Sequence, residues 1–272
     1  MADVISSSVR AAIKDRVKAV LTEKLAAVSP LQRRAKDLRP LKTADPHGSI
    51  KPFHQLLFPE GLLRPWEFER TFSTALGTSF EVTARMIGES RFSEAKNGED
   101  ISGGVSPAAR SAIDDILRDI RRDGMNVSYL DLVDKVVAAY VGASGSLEKV
   151  KVDLYLKDGR GQEVFFEMKS PKPNKDQCVG TTEKLLLLHA IRRQGPPQVQ
   201  TYYAMSFNPY GNSNSDYAHG PATRYLDTPH QVLMGKEFWD FVGGAGTYDE
   251  VLSIYQEVGS EMIPEVISRF GL

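Results

Sequence analysis

The chain of 272 residues contains a single cysteine, so no internal disulfide can form and no cysteine pair is available for a structural zinc site. No apolar run approaches the roughly 18 residues that a membrane-spanning helix requires. The first 20 residues lack the continuous apolar segment of a secretory signal peptide. These absences predict a soluble protein that works in the cytoplasm.

The chain also lacks a dominant sign of charge, but its charges are unevenly distributed. Its 34 basic and 35 acidic side chains give a formal net charge of −1, yet residues 1–43 carry ten basic against four acidic side chains. A basic segment on an acidic body is often an arm that binds a polyanion. The alternative is an amphipathic helix whose charges only face solvent. The sequence leaves both interpretations open.

What the sequence does contain is the composition of a folded protein, with 41% hydrophobic and 25% charged residues. Apolar residues at helical spacing predict helices over residues 5–28 and 68–87. The stretch from Pro40 to Pro65, with its several prolines, predicts an ordered coil, and the polar, glycine-rich residues 90–106 predict a loop. The first half of the chain is therefore expected to be largely helical.

The hydrophobic period changes after Gly145. Residues 150–156 and 163–169 alternate apolar and polar side chains on either side of a glycine-containing turn, which is the pattern of a β-hairpin. A leucine-rich helix from Thr181 and a third strand, Val199–Phe207, follow along the chain. This order of elements predicts a domain of the α/β or α+β class.

Three charged side chains share one face of the predicted hairpin. If Gly159–Gly161 forms a three-residue turn, Asp153 lies directly opposite Glu167, with Cβ atoms roughly 5 Å apart. Lys169 follows two positions later on the same face, and the apolar side chains at every second position of Val150–Leu156 are expected on the other face. Two opposed carboxylates repel one another, which costs stability unless something compensates.

A divalent cation would compensate this repulsion. Mg²⁺ prefers oxygen ligands and binds one or two protein carboxylates while it keeps several waters. Bound there, it could polarise a phosphoryl oxygen and acidify a water, while Lys169 positions that water or neutralises developing charge. The pattern therefore suits metal-assisted hydrolysis of a phosphodiester bond. The alternative is an exposed sheet face of mixed charge, in which Lys169 only pairs with Glu167.

A second E-x-K sequence shows how weak the bare pattern is. Glu94-Ala95-Lys96 has the same spacing, but it falls in the predicted loop and has no flanking strand. The strand context of Glu167 and Lys169 therefore distinguishes the two occurrences.

The hairpin residues also resemble a known signature. Val152-Asp153, thirteen intervening residues and Glu167-Met168-Lys169 are similar to the motif of the PD-(D/E)XK nucleases, with Val152 where the motif has a proline that plays no chemical role. The continuation through residues 169–177 into the leucine-rich helix resembles type II restriction endonucleases, particularly a group that cuts GGNCC-like sites. The close resemblance covers residues 148–210.

The resemblance implies a fold and a set of site residues. The fold is a mixed central β-sheet of the restriction-endonuclease-like type flanked by helices, with a largely helical N-terminal portion. Asp153 and Glu167 would bind Mg²⁺ and Lys169 would assist the attacking water, so all three would be catalytic. Many such nucleases add a glutamate from an upstream helix, for which Glu81 is the candidate and Glu148 the alternative. An ordinary glutamate in a first helical turn explains Glu81 equally well.

The length allows one large domain or two unequal ones. We expect either a helical N-terminal portion, 1–145, packed on a nuclease core, 146–272, or a single domain over the whole chain.

DNA contacts are expected from two polar segments. The first follows the metal-binding strand and is held extended by Pro171 and Pro173, and the second is a long loop over residues 208–230. Their Lys, Arg, Asn, Gln and Tyr side chains could contact phosphates or base edges, and Lys175 is assigned to the DNA backbone. The candidates are Lys172, Asn174, Lys175, Gln177, Asn208, Tyr210, Asn212, Asn214 and Arg224. Both segments could instead be ordinary solvated loops.

The resemblance thus implies a type II restriction endonuclease, which is an Mg²⁺-dependent, site-specific deoxyribonuclease. Its partner would be double-stranded DNA, and a symmetric target would match a homodimer. We expect no organic cofactor and no membrane partner. Two alternatives stay open, namely another PD-(D/E)XK nuclease that acts in repair or on DNA structures, and a non-catalytic DNA-binding protein.

Overall fold

A computed structural model of the chain describes residues 4–28, 36–38, 52–140, 142 and 145–270. Helices form its N-terminal part, namely α1 (Ser7–Ala26), α2 (Pro52–Leu57) and α3 (Glu60–Gly88). The helices predicted over residues 5–28 and 68–87 are therefore confirmed.

The coil predicted from Pro40 to Pro65 is wrong where the structure describes it. Residues 40–51 lie outside the described part of the chain, whereas α2 and the start of α3 are helical. Pro52 is compatible with α2 because it is the first helical residue. The backbone N–H that proline lacks would make no hydrogen bond within the helix at that position.

The chain forms two compact units. The first consists of Met1–Val9 and Phe80–Val251 and contains the β-sheet. The second consists of Arg10–Ser79 and Leu252–Leu272, and its described elements are helical apart from one isolated β-bridge.

Within the second unit, the basic side chains of α1 pair with the last helix, α10 (Thr247–Phe270). Lys14 Nζ lies 3.1 Å from a carboxylate oxygen of Glu257 and 3.0 Å from one of Glu261. Arg10 also pairs with Glu257, and Lys18 pairs with Glu261. These three cations are therefore partnered inside the unit.

A mixed five-stranded sheet forms the centre of the first unit, in the order β1-β2-β3-β4-β5. Its strands are β1 (Glu94–Val105), β2 (Ser146–Lys157), β3 (Glu163–Met168), β4 (Val199–Met205) and β5 (Val232–Met234). The pairs β1–β2 and β2–β3 are antiparallel, whereas β3–β4 and β4–β5 are parallel. The mixed sheet, its flanking helices and the helical N-terminal part confirm the predicted fold class.

Strand β1 shows that the loop predicted over residues 90–106 is wrong. The strand pairs with β2 along its length, from Glu94 opposite Lys157 to Val105 opposite Ser146. Ile101 and Val105 are buried, while most other side chains of β1 are at least partly exposed. An edge strand can carry polar and glycine residues because pairing with its neighbour satisfies its backbone, so composition alone did not reveal it.

Helix α6 (Lys175–Arg192) connects β3 to the parallel neighbour β4. It packs with α4 (Pro107–Asp123) and α5 (Tyr129–Ala138) in one buried cluster, to which it contributes its four consecutive leucines, Leu185–Leu188. The helix begins at Lys175, six residues before the predicted start at Thr181. This early start changes the interpretation of the segment that follows the hairpin.

The C-terminal elements correct the long loop that was predicted over residues 208–230. A short 3₁₀ turn occupies Asn214–Asp216, and two short helices follow it before β5, namely α7 (Gly220–Tyr225) and α8 (Thr228–Gln231). Helix α9 (Lys236–Gly243) and α10 follow β5. None of the described helices combines the length and the apolar character that crossing a membrane requires.

Candidate active site

The hairpin between β2 and β3 has the predicted three-residue turn. The backbone N–H of Asp158 donates to the carbonyl of Gln162 at 3.0 Å, which encloses residues 159–161. Gly161 has a φ of +85°, a backbone conformation that L side chains rarely adopt. Glycine at this position therefore permits the turn that sets the register of the two strands.

The register brings the two predicted carboxylates together. The ladder ends with Leu154 opposite Phe166, so Asp153 and Glu167 directly follow its last pair on the two strands. The backbone N–H of Met168 donates to Oδ2 of Asp153 at 2.8 Å. This hydrogen bond ties the Asp153 carboxylate directly to the end of β3.

The expected alternation of β2 does not continue through Asp153. Val150 and Val152 lie in the same buried cluster as Tyr155, although they were expected on the opposite face. On β1, Gly98, which lies between the paired residues Asn97 and Glu99, has a φ of +64°. A local irregularity in both strands therefore changes the face of the side chains at the position of Asp153.

Lys169 joins the two carboxylates. Its Nζ lies 2.7 Å from Oε1 of Glu167 and 3.2 Å from Oδ2 of Asp153. Burial of Lys169 acts to lower the pKa of its ammonium, but the hydrogen bonds and charges of Glu167 and Asp153 outweigh burial and hold the pKa above its ordinary value. The side chain of Lys169 therefore stays charged in the folded protein.

A second lysine, which sequence analysis did not single out, reaches the same carboxylate. Lys184 extends from α6, and its Nζ lies 2.7 Å from Oε1 of Glu167. Only 3% of the Glu167 side chain is exposed to solvent. Two ammonium groups thus compensate one buried carboxylate, as a buried charge requires.

Glu81 lies in the second half of α3, and the charges of this cluster affect the pKa of its carboxyl. Burial and, next, the negative charges of Asp153 and Glu167 together raise the pKa of its carboxyl to about 7, against the opposing effect of Lys169 and Lys151. Glu81 lies deep within α3 rather than in its first turn, so the macrodipole interpretation of this residue is wrong. The alternative, Glu148, lies on β2 near Ser146, with 3.4 Å between their side-chain oxygens.

Asn97 on β1 fixes the backbone around these carboxylates. Its Nδ2 donates to the carbonyl oxygens of Glu81 and Asp153, both at 3.0 Å. The side chain thereby links α3 to β2. The sequence does not reveal this role, because the polar composition of residues 90–106 predicts a loop, although Asn97 stands directly after the second E-x-K sequence.

The donor set fits a hard divalent cation. Among the described residues, no group of three or more His, Cys, Asp and Glu side chains is placed to hold a metal ion. Two carboxylates, Asp153 and Glu167, do converge, and Mg²⁺ sites in proteins commonly use one or two carboxylates with waters as the other ligands. Glu81 is close enough to Asp153 and Glu167 for their charges to contribute, after burial, to its raised pKa, so its carboxyl is a further oxygen donor near the same place.

The structure brings the two predicted DNA-contacting segments together. Tyr217 Oη donates to the carbonyl of Pro171 at 2.6 Å, and a ring nitrogen of His219 lies 2.9 Å from the carbonyl of Pro173. Lys172 Nζ lies 5.6 Å from the centroid of the Tyr210 ring, at the range of a cation–π contact. The segment after β3 and the loop after β4 therefore form one surface.

Several of the nine candidate side chains are engaged within the protein. Asn174 caps the N-terminus of α6 in a reciprocal capping box with Gln177, so the extended conformation expected there is wrong from Lys175 onward. Three others bond to neighbouring groups, namely Lys175 to the Arg121 carbonyl at 2.7 Å, Asn208 to the Ser213 carbonyl at 2.8 Å, and Asn214 to Glu237. The candidates with exposed side chains outside this group are Lys172, Tyr210, Asn212 and Arg224.

The mixed sheet and the Asp, Glu and Lys cluster at the end of its hairpin define the restriction-endonuclease-like class that the sequence resembles. The sequence matches the profile of a protein family described as "Type II restriction endonuclease, HinfI" over residues 5–259. The chain therefore belongs to the HinfI family of type II restriction endonucleases, which are site-specific deoxyribonucleases. Membership decides against both a repair nuclease and a non-catalytic binding protein.

Curated relatives agree with this assignment along nearly the whole chain. The type II restriction enzymes HgiCII, HgiEI and HgiBI of Herpetosiphon aurantiacus are 32%, 33% and 33% identical to it. Each of the three alignments covers 97% of this chain and 98% of the relative. The similarity therefore extends well beyond residues 148–210, on which the resemblance was first based.

Proposed function

We propose that this type II restriction endonuclease cleaves double-stranded DNA at a centre formed by Asp153, Glu167 and Lys169. One observation carries the proposal: two carboxylates at the end of a β-hairpin, one of them buried, are both bonded by the same lysine. A buried carboxylate held by charged partners, as Glu167 is, is costly to maintain for stability alone, because apolar residues could fill the same space. Such clusters are typical of reactive sites.

Mg²⁺ is the cation that we propose for this centre, with Asp153 and Glu167 as ligands and Glu81 as the third candidate. When bound, it polarises a phosphoryl oxygen and lowers the pKa of a bound water. The two carboxylates hold its position, and the Lys169 ammonium between them orients the attacking water or neutralises charge that develops on the phosphorus centre.

The surface formed by residues 171–173 and the loop around Tyr210 is our proposed DNA-binding face. Lys172, Asn212 and Arg224 suit contacts to phosphates and base edges. The engaged candidates Asn174, Lys175, Gln177, Asn208 and Asn214 would support the shape of this face, with Lys175 and its neighbours still able to contact the DNA backbone. A homodimer acting in the cytoplasm on a symmetric, GGNCC-like site agrees with the resemblance of residues 148–210.

Cleavage of a long DNA of known sequence tests the proposal. The purified protein is incubated with the DNA in Mg²⁺ and, separately, in EDTA, and the ends of the fragments are sequenced. We expect discrete fragments only with Mg²⁺ and ends that define one short symmetric site. A smear, or cutting confined to DNA junctions, would contradict site-specific cleavage.

The DNA-binding face has its own test. Replacement of Lys172 by glutamine should lower the slope of log affinity against log salt concentration by about one, because one phosphate contact is lost. Lys236→Gln is the matched control, since Lys236 is exposed and pairs with Asp240 at 2.8 Å on α9. An unchanged salt slope in Lys172→Gln would remove Lys172 from the proposed face.

A further inference from the structure

Two ammonium groups contact the carboxylate of Glu167, and one of them, that of Lys169, is shared with Asp153. The Nζ atoms of Lys169 and Lys184 each lie 2.7 Å from the same oxygen, Oε1. Lys169 comes from the strand motif itself, whereas Lys184 reaches the oxygen from α6. Two ammonium groups on one oxygen repel each other, so their joint presence calls for an explanation.

The three side chains differ in their freedom to move. The Glu167 side chain is 3% exposed and cannot leave its place, and a buried carboxylate without a partner is strongly destabilising. Lys169 is 34% exposed and is also held by Asp153 at 3.2 Å. Lys184 is 45% exposed. Among the described residues it forms one ion pair, the one with Glu167. Lys184 is therefore the partner that can depart.

We propose that Lys184 is a placeholder cation for the divalent metal at Glu167. In the metal-free protein its ammonium neutralises the buried carboxylate, and it leaves when the metal ion binds, because three cations around one carboxylate would repel each other. Lys184 thus sets the metal affinity of the site without being part of the strand motif. The inference rests on the proposed metal site at Asp153 and Glu167.

Metal binding in the absence of DNA tests the exchange. Calorimetric titration with Mg²⁺ would compare the wild type with Lys184→Met, which keeps the apolar stem, and Lys184→Arg, which keeps the charge. We expect Lys184→Met to bind Mg²⁺ roughly tenfold more tightly, because the competing charge is gone, and Lys184→Arg to bind no more tightly than the wild type. Lys236→Met, which removes an exposed lysine that also pairs with a carboxylate, should leave the affinity unchanged.

Thermal unfolding gives a second readout. Without metal, Lys184→Met should melt at a lower temperature than Lys236→Met, because Glu167 loses a partner that nothing replaces. Saturating Mg²⁺ should raise the melting temperature of Lys184→Met more than that of the wild type, since ligand binding to the folded state stabilises it.

The outcomes separate this inference from the function on which it rests. If the wild type binds Mg²⁺ and Lys184→Met binds it equally or more weakly, the placeholder role is wrong while the metal site stands. If Lys184→Arg also binds more tightly, charge is not the cause, and the role is again wrong. Absence of Mg²⁺ binding in every variant would overturn the metal site itself and the inference with it.

Discussion

At the scale of single residues, the buried carboxylate of Glu167 lies at the centre of the charged cluster. It is bonded by Lys169 and Lys184, and Lys169 also bonds to Asp153. The turn spacing and a motif resemblance were sufficient to predict that Asp153, Glu167 and Lys169 lie together, because all three belong to one local hairpin; their catalytic role stays a prediction. Lys184 could not be predicted in the same way, since only the packing of α6 on the sheet brings it to Glu167.

Asn97 gives a prediction at the residue scale. Its alanine variant loses both hydrogen bonds that hold the backbone at Glu81 and Asp153, so the single-turnover cleavage rate should fall roughly tenfold. Ser93→Ala is the control, because the Ser93 hydroxyl likewise contacts two backbone carbonyls, those of Lys157 and Asp158, at the other end of the β1–β2 pair. Equal rates for the two variants would show that Asn97 has no role in positioning the site.

Among the elements, α6 connects the site to the predicted DNA-binding face. Its capping box, Asn174 with Gln177, lies between Lys169 and the leucine-rich core of the helix. An Asn followed three residues later by Gln is a recognisable helix start. The two prolines before Asn174 favour an extended loop when the sequence is considered alone, although proline is also common just outside a helix.

The role of Asn174 can be separated into capping and DNA contact. Asn174→Ala should lower the free energy of unfolding by about 1 kcal/mol, whereas Asn174→Ser keeps a capping oxygen and should change it by a few tenths at most. Urea unfolding measures both variants. If Asn174→Ser cleaves DNA like the wild type, the residue serves as a cap; a stable Asn174→Ser variant with impaired cleavage would support its predicted contact with DNA.

The ion pairs of helix α1 show what several of its basic side chains contact. Arg10, Lys14 and Lys18 pair with Glu257 and Glu261 of α10, so these cations stabilise the second unit rather than form an open polyanion-binding arm. Sequence alone could not distinguish the two interpretations, because the acidic partners lie about 240 residues away along the chain.

At the scale of the whole molecule, the local motif alone covers one hairpin, whereas the comparisons assign nearly the whole chain to one family. The sheet includes β1, which polar composition concealed, and a short β5 that no hydrophobic pattern indicated. Both are edge strands, whose residues are specified by the neighbouring strand more than by their own propensity. The functional division at residue 145 and the homodimer stay predictions.

The stability of the whole molecule should depend on pH through His189. Burial lowers the pKa of this histidine to about 4, against the opposing hydrogen bond with the Gln194 carbonyl. Because an unfolded histidine has a pKa of about 6.5, the unfolded chain binds the proton more readily between these values. The contribution of neutral His189 to the free energy of unfolding is therefore fully present above pH 6.5. It is lost as the pH falls toward 4, by up to about 3 kcal/mol.

Urea unfolding at several pH values between 4 and 7 measures this loss. His189→Gln should show a shallower decline than the wild type, whereas His230→Gln, which changes an exposed histidine, should decline like the wild type. Parallel curves for all three proteins would show that His189 does not cause the acid sensitivity.

The most direct test of the central claim compares the two E-x-K sequences of the chain. Glu94 and Lys96 also form an ion pair on a strand of the same sheet, at 2.9 Å, but they lie outside the cluster around Asp153. With Mg²⁺ and a DNA that carries the target site, Glu167→Gln should abolish cleavage while DNA binding in Ca²⁺ persists, and Glu94→Gln should cleave like the wild type. Normal cleavage by Glu167→Gln, or loss of cleavage in Glu94→Gln alone, would contradict the assignment of the active site.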